Sequence, residues 1–146
     1  MTGRNLDYLL KPSSVALIGA SDRPSSLGAA VLKNLRDAAF AGPIMPVNPK
    51  HAEIGGARCY VSITDLPTVP DLAVVVTPPD TIPGIIAALG ERGCKAAVVI
   101  SAGFAEDARG RGPALQQAML GICRLLGFDE RVDPDDQGTR IVSLHV

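Results

Sequence analysis

The chain has 146 residues, of which 47% are hydrophobic and 20% are charged, and its formal net charge is −1. This length and apolar content predict a single folded domain and exclude an intrinsically disordered chain. The near-zero net charge provides no strong field that would attract nucleic acid or an anionic membrane, so we expect neither as a partner.

The sequence contains no pattern that predicts a secretory signal or a membrane span. The apolar run at residues 15–20 is too short for the core of a signal peptide, and no stretch approaches the ~20 apolar residues that cross a bilayer. The three cysteines are odd in number and widely spaced, which suits neither a disulfide framework nor a zinc site. We therefore expect a cytoplasmic protein without a metal site and with buried or half-buried thiols at Cys59, Cys94 and Cys123.

Four short apolar runs have the composition of β-strands, at residues 15–19, 44–47, 72–76 and 96–100. The runs are continuous rather than alternating, which indicates burial on both faces, as in parallel sheets covered by helices. Residues 58–64 are a candidate for a short edge strand.

Segments with helical periodicity follow three of these strands. Residues 27–39, a segment starting near Asp80, and residues 113–126 each carry an apolar stripe at helical spacing. Ser25 or Ser26 suits the N-cap of the first helix, and Asp80 suits that of the second. Alternating strands and helices predict a Rossmann-like, doubly wound α/β fold, with a mainly parallel sheet, helices on both faces and a single domain.

The C-terminal segment departs from this alternation. Residues 129–137 (DERVDPDDQ) are rich in acidic side chains, which predicts a solvated loop because like charges repel. Residues 139–146 are a candidate fifth strand. We therefore assign the Rossmann-like domain to residues 1–128 and an atypical segment, which completes or trails that domain, to residues 129–146.

The loop after the first strand is the first candidate binding site, because ligands of open parallel sheets bind at the carboxyl ends of the strands. Residues 19–28 (GASDRPSSLG) combine small residues with a helix start, an arrangement that directs backbone N–H groups at a phosphate. The glycines are nine residues apart, so this is neither a G-x-G-x-x-G fingerprint nor a Walker A motif. The alternative is a plain strand–helix turn. The candidate residues are Gly19, Ser21, Asp22, Arg23 and Gly28.

Three further candidate segments follow the other predicted strands. Asn48 and Lys50 occupy the place where NAD-binding domains usually carry an acid for the ribose 2′-OH, and a lysine there favours a phosphate on the ribose. Prolines after the third strand would form a stiff apolar wall, and small residues after the fourth would allow close backbone approach. Each segment is also compatible with an ordinary turn. The candidates are Val47, Asn48, Pro49 and Lys50, then Val76, Thr77 and Pro78, then Ser101, Ala102 and Gly103.

The sequence contains no recognisable catalytic constellation. His51 and His145 stand far apart and outside any motif, and the G-x-S-x-G and H-E-x-x-H patterns are missing. His51 is expected to be exposed. The sequence therefore predicts a binding domain without catalytic residues.

The candidate segments, taken together and in this order, resemble the CoA-binding domain of the NDP-forming acyl-CoA synthetases. That group includes the ADP-forming acetate–CoA ligases and the α subunit of succinyl-CoA ligase. The matching stretches are residues 9–28 (LLKPSSVALIGASDRPSSLG), 43–50 (PIMPVNPK), 71–79 (DLAVVVTPP) and 97–106 (AVVISAGFAE). The likeness covers roughly residues 5–122.

The resemblance implies coenzyme A as the ligand. In such domains the loop that matches residues 21–23 contacts the CoA phosphates, and the segment that matches residues 47–50 lines the adenosine 3′-phosphate. Residues 76–78 would wall the nucleotide, and residues 101–103 would lie toward the pantetheine arm. This agrees with the chemistry of the residues, since a diphosphate favours an amide-rich helix start and a ribose phosphate favours a nearby cation.

The chain departs from the synthetases after the third helix. Their next strand ends in a Gly-Pro-Asn motif, whereas here residues 140–142 are followed by SLHV. The phosphohistidine and ATP-grasp domains are also missing from this sequence. The expectation is thus an incomplete acid–CoA ligase, inactive alone, with CoA or acyl-CoA and ligase domains on another chain as its partners. The alternatives are an NAD(P)-binding oxidoreductase module and a non-enzymatic, stand-alone CoA-binding or regulatory protein.

Overall fold

The computed structural model describes residues 6–100, 113–114, 117–118, 120–121, 128–132, 135 and 140–144. In chain order its elements are α1 Leu6–Leu10, β1 Val15–Ile18, α2 Leu27–Asp37, β2 Ile44–Val47, β3 Glu53–Ile54, β4 Ala57–Arg58, β5 Leu72–Val75, α3 Ile82–Glu91, β6 Ala96–Val99, β7 Phe128–Val132 and β8 Arg140–Leu144.

Four strands form a parallel sheet in the order β2-β1-β5-β6. Strand β1 pairs along its whole length with both neighbours, so that Val15 lies opposite Ile44 on one side and Leu72 on the other. The chain passes from β1 through α2 to β2 and then returns across β1 to β5. This reversal of strand order leaves a crevice at the carboxyl ends of β1 and β5, where ligands of such sheets bind. The predicted Rossmann-like fold is confirmed.

The two faces of the sheet pack against different helices. On one face, Ile18 of β1 belongs to a buried cluster with Ile82 and Ile86 of α3. On the other face, Leu17 belongs to a cluster with Leu32 of α2. This arrangement explains the continuous apolar runs in the sequence. Because helices cover both faces of the sheet, the strands need no alternation of apolar and polar residues.

The fourth predicted strand, β6, is less buried than the sequence predicts. All four residues of β1 and of β5 are buried, whereas Ala97 of β6 is exposed and its neighbours are half-buried. Strand β6 pairs only with β5 in the described part of the chain, and an edge position explains the difference.

The third predicted helix is described at six positions, and all are helical: Pro113, Ala114, Gln117, Ala118, Leu120 and Gly121. Leu120 is buried. The residues on its predicted apolar face, Leu115, Met119, Ile122 and Leu126, lie outside the described residues.

The prediction of an edge strand over residues 58–64 is wrong. Strands β3 and β4 form a short antiparallel hairpin that ends at Arg58, Tyr60 makes an isolated parallel bridge to Val47, and Ile63–Asp65 form a 3-10 turn. The hairpin closes through the adjacent glycines 55 and 56, whose φ angles are +57° and +79°. A tight hairpin turn requires two residues with positive φ angles. The Gly-Gly pair was therefore the sequence signal for this hairpin, and a prediction based on apolar residues alone did not consider it.

The prediction of a solvated loop over residues 129–137 is wrong for residues 129–132, which belong to β7. Strand β7 pairs antiparallel with β8 in a separate two-stranded sheet, with five residue pairs in register. The last predicted strand therefore exists, but it does not extend the parallel sheet. The prediction from like charges considered side chains alone, whereas hydrogen bonds between backbone groups join β7 to β8.

Cys59 and Cys94 are buried free thiols, as predicted, and Cys123 lies outside the described residues. Burial raises the pKa of both thiols, and hydrogen bonds to the backbone of Asn48 and of Ala96, respectively, oppose this effect. Both groups are therefore neutral at pH 7 and act as small apolar residues.

The described ranges contain neither a membrane-spanning helix nor a cluster of metal ligands. No helix there is both long and apolar enough to cross a bilayer. No group of histidine, cysteine or acidic side chains there is arranged to hold a metal ion.

Candidate ligand-binding crevice

The loop between β1 and α2, residues 19–26, begins at the carboxyl end of β1. The amides of Gly19 and Ala20 both donate to the carbonyl oxygen of Val47, at 3.0 and 3.3 Å, which continues the pairing of β1 with β2. The amide of Arg23 donates to Ser21 Oγ at 3.1 Å and tightens the next turn. The loop thus begins as a rigid extension of the strand, while the side chains of Asp22 and Arg23 are exposed.

Ser26 is the N-cap of α2, one of the two serines predicted for that role. Its Oγ accepts from the amide of Ala29 at 3.1 Å and donates to the carbonyl oxygen of Arg23 at 2.8 Å. The amides of Leu27 and Gly28, which come just before that of Ala29 in the chain, have no hydrogen-bond acceptor within the part of the chain that the structure describes. Together with the helix dipole, these two N–H groups create a partial positive charge at the crevice.

Gly19 and Gly28 bring the end of β1 and the start of α2 into direct contact. A Cβ at the buried Gly28 would lie 2.2 Å from the carbonyl oxygen of Gly19 and 3.1 Å from the amide nitrogen of Ser21. Gly19 itself has a φ of +93°, and a Cβ there would lie 3.0 Å from Thr77 Cγ2. Sequence spacing argued against a glycine fingerprint, yet these two glycines permit the close helix–strand packing that the last glycine of such a fingerprint provides.

Asn48, at the end of β2, ties three segments together. Its Nδ2 donates to the carbonyl oxygen of Ala20 at 2.8 Å, and its Oδ1 accepts from the amide of Lys50 at 2.9 Å. Its own amide donates to the carbonyl oxygen of Tyr60 at 2.9 Å. Both ends of this side chain therefore bind the protein's own backbone and fix the loop after β1 against the loop after β2.

The other residues after β2 are open to solvent. Pro49 and Lys50 are exposed, whereas His51, which was expected to be exposed, is half-buried. Lys50 forms no ion pair within the described ranges. Its positive charge is thus available to an anion beside the crevice.

The loop after β5 forms the other side of the crevice. The amide of Val76 donates to the carbonyl oxygen of Ile18 at 2.9 Å, which places this loop beside Gly19. Val76 and Thr77 are half-buried, and Pro78 is exposed. Thr81 Oγ1 donates to the carbonyl oxygen of Pro78 at 2.6 Å and lies 2.8 Å from Thr77 Oγ1, and these contacts stiffen the turn.

The predicted capping role of Asp80 is wrong. A 3-10 turn over Pro79–Thr81 leads into α3, which starts at Ile82 without a side-chain capping bond. The amides of Thr81 and Ile82 donate to carbonyl oxygens within that turn, so the entry to the helix is satisfied by backbone alone.

The structure therefore brings three of the four predicted segments to one edge of the sheet. Hydrogen bonds link residues 19–23 to residues 47–48, and residue 76 lies against the end of β1. The fourth segment, Ser101, Ala102 and Gly103, lies outside the described residues. It follows Ile100, whose amide donates to the carbonyl oxygen of Val75 at 2.8 Å.

A cleft of about 290 Å³, which sequence reasoning missed, opens beside Ser21 and Asp22. It continues along α2 past Lys33 and Arg36 to Gly55 of the β3–β4 hairpin. Lys33 is paired with Asp37, one helical turn away. Ser21 and Asp22 were already candidate residues, whereas the part of the cleft along α2 was not predicted.

We expect Asn48→Ala to lower the free energy of unfolding by about 1–2 kcal/mol, because it removes one partly buried and one exposed hydrogen bond. Urea unfolding followed by circular dichroism measures this change. Asn34→Ala is the matched control, since Asn34 is exposed on α2 and its replacement should change stability by less than about 0.5 kcal/mol. Equal stabilities for the two variants would contradict the positioning role of Asn48.

Comparisons with known proteins agree with this fold. Residues 13–124 match the protein family described as the CoA binding domain. The chain is 46% identical over 108 residues to an ADP-forming acetate–CoA ligase of Methanocaldococcus jannaschii, a match that covers 73% of this chain and 15% of the relative.

Two solved structures have the same fold. A dinucleotide-forming acetyl-coenzyme A synthetase 1 of Candidatus Korarchaeum cryptofilum, in its apo form, superposes with a TM-score of 0.77 at 35% identity and covers 89% of this chain and 28% of that one. A conserved hypothetical protein from Pyrococcus furiosus superposes with a TM-score of 0.58 at 33% identity, over 72% of this chain and 86% of that one. The chain thus spans a small part of the ligase and of the synthetase, and most of the second solved protein.

Proposed function

Because the chain belongs to the CoA-binding domain family of the ADP-forming acyl-CoA synthetases, we propose that it binds coenzyme A in the crevice over β1 and β5. The diphosphate of CoA would lie on the backbone amides at the start of α2. The adenosine end would extend toward Lys50, and the pantetheine arm would extend toward β6.

The contact between Gly19 and Gly28 is the observation that supports this proposal most strongly. It packs the first turn of α2 directly against the end of β1, so the amides of Leu27 and Gly28 lie at the crevice over β1. Backbone N–H groups at a helix start are well suited to a phosphate, because they donate hydrogen bonds and the dipole favours negative charge.

The surrounding residues have matching roles in this proposal. Ser21 and Asp22 would contribute backbone amides, and Arg23 would contribute a guanidinium, to the diphosphate. Residues 76–78 would form the apolar wall against the nucleotide, and residues 101–103 would lie along the pantetheine arm. Val47 and Pro49 would line the floor beside Lys50.

Asn48 argues against NAD as the ligand. A domain that binds NAD holds the ribose hydroxyls with an acid at this position, whereas the Asn48 side chain is neutral and bonded to backbone at both ends. A neutral residue here removes the charge repulsion that a ribose phosphate would otherwise meet.

We propose that the domain serves an acid–CoA ligase whose phosphate-transferring parts lie outside this sequence, and that it has no catalytic residue of its own. A stand-alone CoA-binding protein is the second candidate. The Pyrococcus furiosus protein favours it, because this chain matches most of that protein's length.

Isothermal titration calorimetry of the purified chain with CoA, NAD⁺ and NADP⁺ tests the proposal. We expect CoA to bind and the two dinucleotides to bind at least about tenfold more weakly, a difference of about 1.4 kcal/mol. Binding of NADP⁺ without binding of CoA would replace the proposal with the oxidoreductase alternative. No heat with any of the three ligands would contradict it as well.

A further inference from the structure

Arg36 reaches from α2 to the turn of the β3–β4 hairpin, the two elements that flank the cleft of about 290 Å³. A Cβ at Gly55 would clash with Arg36 Nη1 and would lie 3.2 Å from both Cζ and Nη2 of that side chain. The guanidinium therefore lies directly against the backbone of Gly55, which has no side chain to displace it. This contact keeps the charged end of Arg36 at the cleft that both residues line.

The hydrogen-bond donors of Arg36 have no partner within the described residues. Its side chain forms neither a hydrogen bond nor an ion pair there, although two acids, Asp22 and Asp37, line the same cleft. Asp37 is paired with Lys33 instead. Because a guanidinium carries five N–H groups in one plane, Arg36 can receive an oxyanion from outside the protein.

Lys33 adds a second set of donors beside Arg36. The two residues are three positions apart on α2, so their side chains are neighbours on one face of the helix. The ammonium of Lys33 has three N–H groups, and its ion pair joins it to a single carboxylate oxygen of Asp37. Two cations and one acid give this wall of the cleft a net positive charge. Asp22, the other acid, belongs to the loop before α2, whereas the cations lie in the second and third turns of the helix.

The floor of the cleft is apolar and rigid. Leu32 of α2 and Ile54 of β3 are 4% and 1% exposed, belong to one core cluster, and line the cleft together with Ala29. The cleft volume of about 290 Å³ is close to the lower limit of small-molecule sites, which is about 300 Å³. An apolar group of about one ring can therefore lie on the floor beside the cationic wall.

We propose that this cleft binds a phosphate monoester, with the phosphate at Arg36 and Lys33 and the carbon skeleton on the apolar floor. The planar guanidinium donates two parallel hydrogen bonds to one phosphate group, and the ammonium adds a point charge. A monoester carries about −1.5 to −2 charges at pH 7, so it matches two cations better than a carboxylate does.

Two sources can supply the phosphate. The proposed function directs the adenosine end of CoA toward Lys50, which does not line the cleft, so we assign the cleft to a separate small ester. The other source is the ribose 3′-phosphate of CoA itself, because Ser21 and Asp22 line the cleft and also belong to the loop after β1. The inference goes beyond the proposed function, since a separate ester needs no coenzyme in the crevice.

Titration of the ¹⁵N-labelled chain with phenyl phosphate, which joins one apolar ring to one monoester, tests the inference. We expect saturable amide shifts at Leu32, Arg36 and Gly55 with a Kd of about 1 mM. Phenol and inorganic phosphate each lack one half of this probe and should bind at least about tenfold more weakly. Arg36→Gln should weaken phenyl phosphate binding about tenfold. Lys11→Gln removes an exposed charge outside the cleft and should leave it unchanged.

Gly55→Ala and Gly56→Ala are a matched pair that displaces Arg36 without removing it. Both glycines have positive φ angles, +57° and +79°, so alanine strains the turn in both variants. A Cβ at residue 55 meets Arg36, whereas a Cβ at residue 56 meets nothing within 4 Å. With both variants shown to be folded by circular dichroism, Gly55→Ala should bind phenyl phosphate at least about threefold more weakly than Gly56→Ala. Equal affinities would contradict the inference.

Calorimetry with CoA and dephospho-CoA identifies the source of the phosphate. For a separate ester, Arg36→Gln leaves both coenzyme affinities unchanged, and phenyl phosphate binds to the CoA-saturated chain. For the 3′-phosphate of CoA, Arg36→Gln weakens CoA about tenfold and leaves dephospho-CoA unchanged, and phenyl phosphate competes with CoA alone. Either result supports the phosphate site. An equal loss for both coenzymes would show a distorted crevice and would overturn it.

Two other results would overturn the inference. One is an Arg36→Gln variant that binds phenyl phosphate as tightly as wild type. The other is the lack of any amide shift at up to about 10 mM phenyl phosphate together with wild-type CoA affinity in Arg36→Gln. The proposed function is judged separately, by whether wild type binds CoA. A chain that binds CoA but fails these tests loses the cleft site and keeps its proposed function.

Discussion

Replacing Gly28 with alanine should lower the free energy of unfolding by about 3 kcal/mol, near the upper end of what overpacking usually costs. The new methyl group would lie 2.2 Å from the carbonyl oxygen of Gly19, and that oxygen cannot rotate away because it belongs to the backbone. The end of β1 and the start of α2 would have to separate. Urea unfolding followed by circular dichroism measures the loss.

The same substitution should weaken CoA binding by at least about tenfold, or 1.4 kcal/mol, because it moves the amides of residues 27 and 28. Gly84→Ala is the matched control, since a Cβ at Gly84 in α3 meets nothing within 4 Å. Alanine there should increase stability by about 0.5–1 kcal/mol through helix propensity and leave CoA affinity unchanged. A Gly28→Ala variant as stable as wild type would show that the two loops are not in contact.

Leu17→Ala should lower the free energy of unfolding by about 2–5 kcal/mol. Leu17 is 0% exposed in the central strand β1, where it packs in one cluster with Leu32 and Ile54. Removing its branched end leaves a cavity between the sheet and α2 that the surrounding strands cannot fill by moving. Denaturant unfolding, monitored by circular dichroism, gives the value.

Leu10→Ala provides the comparison for Leu17, because Leu10 is 72% exposed in α1. Its replacement should change stability by less than about 0.5 kcal/mol. Losses of similar size in the two variants would contradict the assignment of β1 to the centre of the sheet.

The parallel sheet could be predicted from the sequence because its strands carry their own signal. Continuous apolar runs at residues 15–18, 44–47 and 72–75 require cover on both faces, and the intervening helical periods supply that cover. The β3–β4 hairpin and the β7–β8 pair escaped prediction for the opposite reason. Their pairing depends on backbone hydrogen bonds and turn geometry, which hydrophobic patterning does not report.

The candidate site could be predicted as a set of loops but not as a set of contacts. Fold topology alone places the segments after β1, β2 and β5 at one edge, so their residues could be named from the sequence. Gly19 and Gly28 are nine residues apart, a spacing that matches no known glycine motif. Their contact forms only when the loop between them folds back and brings the start of α2 against the end of β1. The hydrogen bond from Asn48 to the distant carbonyl oxygen of Ala20 likewise depends on the folded arrangement of the two loops, which the sequence does not reveal.

Amide chemical-shift mapping of the ¹⁵N-labelled chain during titration with CoA tests the central claim most directly. The account predicts the largest changes at residues 19–28, above all at the amides of Leu27 and Gly28, with smaller changes near Lys50. Residues of α1 and the amino ends of the strands should not respond. Saturable changes centred on those amino ends, or no changes at millimolar CoA, would contradict the claim that bare amides at the start of α2 hold the coenzyme.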